Sequence, residues 1–561
     1  MTMSPILPKP SHRLRNAGLT ASIFALSALA SEIHAFEINT GNPDLKVRLD
    51  TQVRYNLGIR AEGVNDDFGD SPTYDASEYF AERGDLVTNR LDVLSEFDVI
   101  YKRRHGFRVS AAAWRDFAYD NPQYNSSIHG GASKAEVSEH RNGHFSSYAN
   151  RYNKGLSGEI LDAFIFSGFD VGSTSVNFRL GQHTVYWGES LYTQFHSIAY
   201  SQAPMDLLKA ASSPGIEAKE TFMPIPQLSF QLSLGDTVSV GGQYLFDWEP
   251  SRLPAGGTYF GGVDMLRADY VNAIAGIPFG DDVEPDKKRG QFGLNLRWSP
   301  EWLQGTVGLY YRKFNEVMGW TAQSWESAGL RPDDTHLTYA SDTKLYGISL
   351  SKTIGVVSVG AELSYRENTA LLSSSDWRPV GDVRGVEGAR GDTWHALVNG
   401  VYILPQTPLW EGGTLQAELV YSALDHVSKN KALFRGVGYE GCAAGQGAGE
   451  GCATREVWLA QVGFTPEYPQ AFPGVNLSLP MSLSYGLKGN GASLSGGNQD
   501  AMSWSVGVAA NIYNTWDVSL KYNDSRARYK TNPVTGLVSS SNGNALANNH
   551  GWVSLTVKRT F

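Results

Sequence analysis

The sequence is poor in the features that define most soluble enzymes and most helical membrane proteins. It holds only two cysteines in 561 residues, which is too few for the four ligands of a structural zinc site, and no nearby His pair completes one. No charge-free apolar run of about 18 residues occurs beyond the first 35, so no transmembrane helix is available. Basic residues number 47 against 57 acidic ones, a formal net charge of -10. That balance excludes the clustered Lys and Arg that phosphate backbones require, so nucleic acid is not an expected partner. Gly-x-Ser-x-Gly, P-loop and His-Glu-x-x-His motifs are all missing. Gly69-Asp70-Ser71, Gly63-Val64-Asn65-Asp66 and Asp333-Asp334-Thr335-His336 resemble fragments of GDS esterases. The order of the blocks is wrong for that family, and no enzyme is expected.

What is present favours strands. Glycine stands at 60 residues, with 14 Trp, 27 Tyr and 24 Phe, a mixture suited to turns and sheets. Residues 1–35 read as a secretory signal peptide: Lys9, Arg13 and Arg15 precede the short apolar core AGLTASIFALSALA, and cleavage is expected after Ala35. Beyond it, LKVRLDTQVRYNLGIR (45–60) alternates Leu45, Val47, Leu49, Val53, Tyr55, Leu57 and Ile59 with Lys46, Arg48, Asp50, Gln52, Arg54, Asn56 and Arg60. Only a strand has a two-residue period, and sixteen residues exceed what a soluble strand usually needs.

The pattern recurs from end to end, giving about 18 strands, within a range of 14 to 18. The weakest are 156–169, which has no clean polar face, and 474–488, which Pro480 interrupts. Links of about two to seven residues alternate with links of about twelve to more than forty, the arrangement of short periplasmic turns and long outer loops in a bacterial barrel. The expected architecture is all-β: a transmembrane antiparallel barrel over 36–561, with 184–226 folding into the lumen. Only Phe36 to Asp44 precede the first strand, too few for a globular plug.

The stretch GQHTVYWGES (181–190), followed by Pro204-Met205-Asp206 and PGIEAKE (214–220), resembles the proteobacterial outer-membrane proteins grouped as DUF1302. The start LKVRLDTQVRYNLGIR and the region RLDVLSEFDVIYKR (90–103) are similar to that family as well. The ending Val553 to Phe561 resembles the closing-strand signal read by the barrel-assembly machinery, from which Arg559 departs. The resemblance implies a channel-like outer-membrane protein associated with uptake or handling of hydrophobic compounds such as lipids, hydrocarbons or steroids. It also implies a periplasmic lipid-handling partner and contact with outer-membrane lipid and lipopolysaccharide.

Thr184 to Pro226 is too apolar for a solvated loop. Trp187, Tyr192 and Phe195 are expected to line the substrate path, with Glu189, Asp206, Lys219 and Glu220 as orienting charges. The competing reading has these charges pin the loop to the wall. Lys46, Arg48, Arg54, Arg60 and Arg179 are expected lumen charges, joined by Arg108, Arg297, Glu362, Arg366 and Glu418. The acidic pairs Asp66-Asp67, Asp281-Asp282 and Asp333-Asp334 belong to solvated loops, with divalent cations the sharper alternative. Cys442 and Cys452, in GCAAGQGAGEGC, form an even pair expected to close one loop by a disulfide. Together these features read as a passive channel for a small hydrophobic or amphipathic organic compound, without cofactor or metal; the alternative is a hydrophilic substrate-specific porin.

Overall fold

The computed structural model describes residues 36–64, 66–69, 80–120, 145–261, 266–267, 269–272, 277–325, 332–374, 376–379, 386–536 and 538–561. The signal segment lies outside them. Eighteen antiparallel strands form one sheet. They are β1 (Leu45–Arg60), β2 (Leu86–Tyr101), β3 (His105–Asp116), β4 (Gly155–Val171), β5 (Thr174–His183) and β6 (Ile225–Leu234). There follow β7 (Val238–Leu245), β8 (Phe292–Trp298), β9 (Gly305–Phe314), β10 (Thr343–Ile354), β11 (Val357–Ala370) and β12 (Arg390–Ile403). The last six are β13 (Gly412–Lys429), β14 (Glu456–Phe472), β15 (in two pieces, Val475–Ser478 and Met481–Lys488), β16 (Met502–Ile512), β17 (Trp516–Arg526) and β18 (Trp552–Thr560). Each pairs with the next, and β18 pairs with β1 from Gln52↔Thr560 to Arg60↔Trp552, which closes the barrel and removes its edges.

The outward face is a lipid belt. Leu232, Val240, Leu296, Leu309, Ile348 and Leu363 stand in register across six neighbouring strands. The last four remain 38–47% exposed, as side chains facing hydrocarbon must in a structure without lipid. One step towards the long loops, Tyr311, Tyr346, Tyr365 and Trp394 form an aromatic row in the same way, Tyr365 and Trp394 with ring centroids 4.6 Å apart. An apolar belt bordered by an aromatic row is the outward surface of an outer-membrane barrel.

The two weak strands have identifiable causes. In β4, Leu156 and Ile160 are exposed at even positions, 82% and 60%, and Ile165 and Phe169 at odd ones, 52% and 45%. The register against β3 shifts between Val109 and Ala111. That bulge exchanges which parity faces the lipid and erases the alternation from the sequence. β15 breaks at Leu479-Pro480, where Leu479 N donates to Pro466 O (3.0 Å) and Gly507 N to Pro480 O (3.0 Å), so the wall stays bonded through the break. Other strands differ from expectation at their loop-side ends: β13 runs to Lys429 rather than 424, carried onward as β12 and β13 pair up to Arg390↔Lys429.

Over the mouth, the long loops pack on one another. Phe80, Tyr119, Phe145, Ala255, Tyr259 and Trp552 form one buried cluster, and Leu371, Ala389, Val427, Phe434 and Ala453 another. Cys442 and Cys452 are joined by a disulfide beside the second cluster. Asn490 fastens that loop by donating to Ala448 O (2.9 Å) and Cys452 O (2.8 Å).

Candidate functional site: a loop crossing the lumen

The link between β5 and β6 lies inside the barrel and is bonded to opposite walls. Its first half meets β9 to β14. The Glu362 carboxylate on β11 accepts the backbone N–H groups of Glu189, Ser190 (3.0 Å) and Ile198 (2.7 Å). Glu418 on β13 accepts those of Leu191 (2.7 Å) and Thr193 (2.8 Å). Guanidinium groups take the loop's carbonyls in turn: Arg366 donates to Phe195 O (2.9 Å) and Ser197 O (3.0 Å), and Arg312 to Ile198 O (2.8 Å) and Tyr200 O (2.6 Å). Backbone groups that water would otherwise satisfy are thus matched to buried charges, the condition for placing irregular chain at membrane depth. Gly188 makes the approach possible: its φ is +98°, and a Cβ there would sit 2.3 Å from a Glu362 oxygen.

Trp187 and Phe195 pack against a buried cluster of Ile198, Tyr200, Tyr310, Phe314 and Leu345. His196 meets His395 of β12, Nδ1 to Nδ1 at 3.0 Å, and its Nε2 lies 3.1 Å from Gly496 O. Burial, with the nearby Arg366 charge, lowers the His196 pKa to about 3, so the ring is neutral at ordinary pH.

The second half, with the short helices α1 (Leu207–Ser212) and α2 (Ala218–Thr221), meets β1 to β4 and β18. Asp206 caps α1 through Lys209 N (2.8 Å) and accepts from Arg252 (3.0 Å). Lys209 and Arg252 both reach Glu159, at 2.5 and 2.6 Å. Glu220 is buried in a two-bond pair with Arg54, 2.9 and 3.1 Å. Lys219 pairs with Glu96 and with Glu217 (3.1 Å). Asn56 donates to Ser213 Oγ (3.0 Å), which donates to Asp92 (3.1 Å).

Several expected lumen charges are therefore occupied by tethering. Arg60 is buried and donates to Phe80 O (2.7 Å) and Asn549 O (2.8 Å), joining two outer loops. Arg48 and Arg108 share Asp98 at 3.2 and 2.7 Å, and Lys46 is exposed. Asp282 pairs with Arg267 (2.7 Å), and Tyr529 donates to Asp67 (3.0 Å). The side chains of Asp66, Asp333 and Asp334 lie outside the described residues, as do Asp70 and Ser71. Among the described residues, Asp392, Asp425 and His426 gather metal-ligand atoms within 4.8 Å on the outer rim, where Tyr365 donates to both carboxylates.

Crossing the lumen, the loop leaves space on both flanks. Along β14 to β17, a cavity of about 580 Å³ on the long-loop side and one of about 560 Å³ on the turn side flank a smaller one of about 170 Å³. The smaller one shares Tyr192, Ser482 and Ser505 with the first, and Pro480 and Lys521 with the second. Thr414, Gln416, Gly463 and Thr465 complete its wall. Tyr192 is held across it by donating to Gln416 Oε1 (2.8 Å), and its hydroxyl lies against Gly463, where a Cβ would sit 2.3 Å from it and push the ring aside. On the other flank, under the loop and on the turn side, a separate cavity of about 710 Å³ is lined by Trp187, Phe164, Phe166, Asp98 and five arginines, 103, 104, 108, 179 and 297. Glu189 reaches this flank through Arg297 at 3.6 Å, and burial raises its pKa.

Arg312, His395, Asn399, which donates to Glu189 O (2.6 Å), and Glu316, just beyond β9, which accepts from the Tyr200 hydroxyl, also hold the loop, and none of them stands out in the sequence. Nor does the hydroxyl-rich wall of the narrow passage. A usable signal existed in Ser482-x-Ser484 and Ser503-x-Ser505, small polar residues at lumen positions of adjacent strands.

Closure, lipid belt and an inward loop define an outer-membrane β-barrel whose lumen is partitioned by its own chain. The chain belongs to the family described as "Protein of unknown function (DUF1302)", whose model matches residues 16–561. No curated protein matches it. Among solved structures it is similar to Acinetobacter baumannii OccAB4 (7% identity, TM-score 0.41, 92% of this chain and 98% of that one). It is also similar to the outer-membrane channel DcaP of Acinetobacter baumannii (12%, 0.35, 94% and 100%). A third similar structure is Pseudomonas aeruginosa OccK1, or OpdK (9%, 0.37, 92% and 98%).

Proposed function

We infer that this barrel is a passive outer-membrane channel and that solute crosses it along the passage between Tyr192 and the β14 to β17 wall. The single observation that carries this reading is the chain of three cavities with shared lining residues, which runs from the long-loop side to the turn side past one side chain. Tyr192 sets the width. Of the other residues expected on the path, Asp206, Lys219 and Glu220 hold the loop in place, and Trp187 and Glu189 face the opposite flank.

The lining selects among permeants. Ser482, Ser505, Thr414, Thr465 and Gln416 offer hydroxyl and amide groups at the narrow point, with Lys521 as its cation. A purely apolar compound would desolvate these groups without replacing their hydrogen bonds, whereas a hydroxyl- or carboxyl-bearing one exchanges them. The permeant is therefore a small polar or amphipathic organic compound, and the hydrophilic alternative gains over the purely hydrophobic one. Steady ionic current from single molecules in planar bilayers is the expected result; a barrel that inserts and folds yet carries no current would overturn the reading.

A further inference from the structure

The cavity on the other flank of the loop is not on the route described above, and its chemistry differs. We propose that it is a binding site for organic anions that join a carboxylate to a flat aromatic body, open towards the periplasmic side. The charge is lopsided. Five arginines line it against one carboxylate, Asp98, which already serves Arg48 and Arg108. Arg104 is paired with Asp170 (2.5 Å), and Arg297 stands 3.6 Å from Glu189. Arg179 is different: no described carboxylate lies within ion-pair distance of it, and its guanidinium stands over the face of Phe164, 5.6 Å from the ring centroid. Asp162, the acid whose field reaches Arg179, is itself buried.

An unpaired guanidinium beside aromatic rings leaves its hydrogen-bonding fork for a carboxylate, which it can take with two parallel bonds. The rings supply the other half of the site. Phe164 and Phe166 stand with centroids 6.3 Å apart, and Trp187 on the loop lines the same cavity. Strand pairing sets Arg179 opposite Phe166, so charge and ring share one patch of wall. Asn177, Gln231 and Asn295 add neutral polar groups on the same lining. About 710 Å³ lies within the range of small-molecule sites, roughly 300–1,000 Å³. The turn side is the periplasmic side of such a barrel, so a captured anion sits at the inner mouth.

The test is calorimetric titration of the folded, detergent-solubilised protein with three probes: naphthoate, naphthalenemethanol and acetate. Naphthoate is expected to bind saturably, and the alcohol and acetate each roughly tenfold or more weakly, since each lacks one half of the recognition. Arg179→Gln is expected to weaken naphthoate by roughly tenfold, with Arg179→Lys in between. Arg179 is exposed to the lumen, so these variants should retain the heat-modifiable migration of a folded barrel. Ser482→Phe, in the passage on the other flank, should leave naphthoate affinity unchanged. The proposal is overturned if naphthoate gives no saturable heat, if the alcohol binds as tightly as the acid, if Arg179→Gln binds like the parent, or if Ser482→Phe abolishes binding. These outcomes are read without any current and are separable from the channel reading.

Discussion

The two flanks of the lumen loop differ in almost every property that matters to a solute. One is a chain of cavities, narrow at Tyr192 and walled by serine, threonine and glutamine; the other is a single pocket of arginine and phenylalanine beneath Trp187. Both are made by the same loop, so its anchoring decides whether two environments exist or one. On the proposed reading, the polar wall would let a solute pass because each hydrogen bond is weak and replaceable, whereas the unpaired guanidinium near rings would retain one. The comparison teaches that a barrel of this size need not be one pore.

Removing the anchors should have the largest effect. In Glu362→Ala/Glu418→Ala the loop's N–H groups at 189, 190, 191, 193 and 198 lose their carboxylates, at roughly 1–3 kcal/mol for each buried group left unsatisfied. Single-channel conductance should rise severalfold as the flanks merge, and naphthoate affinity should fall because Trp187 leaves its place. Opening one flank alone is a smaller step. Tyr192→Ala should raise conductance about twofold, an estimate from the loss of the side chain that narrows the path, and leave naphthoate binding untouched.

Acid should act on the anchoring more gently. With its pKa lowered to about 3 in the fold, against 6.5 when unfolded, His196 stabilises the protein fully above pH 6.5. That contribution declines as pH falls from 6.5 towards 3, so open-channel noise should grow over that window and grow less in His196→Gln. The smallest effect is expected from Cys442→Ser. The bridge closes an outer loop of sequence separation 10, so protease should cut that loop faster while conductance and naphthoate affinity stay as they were.

Much of this architecture is legible in the sequence because a lipid-facing strand imposes a two-residue period that no helix shares. Most of the eighteen strands follow from that pattern, and the alternation of short and long links places the rest. The pattern fails locally where a bulge changes parity, as in β4, and where strands continue beyond the membrane, as at the loop-side end of β13. The partitioned lumen is harder to read. Glu362 accepts from Glu189 across 173 residues, and Glu418 from Leu191 across 227. Nothing in a local window links such partners, so a wall carboxylate that anchors a loop looks like any other lumen charge. Arg54 and Arg179 illustrate the limit: both are arginines on polar strand faces, yet one is buried against Glu220 and the other has no described carboxylate within ion-pair distance.

On the proposed route solute passes between Tyr192 and the β14 to β17 wall, with Ser482 of β15 at its narrow point. Both native cysteines are joined in the disulfide, so Ser482→Cys introduces a single free thiol at the narrow point. Single-channel current through this variant should be recorded before and after adding a bulky, membrane-impermeant thiol reagent. A stable channel whose current falls sharply on modification and recovers on reduction is expected; current unchanged by complete modification would rule out this route.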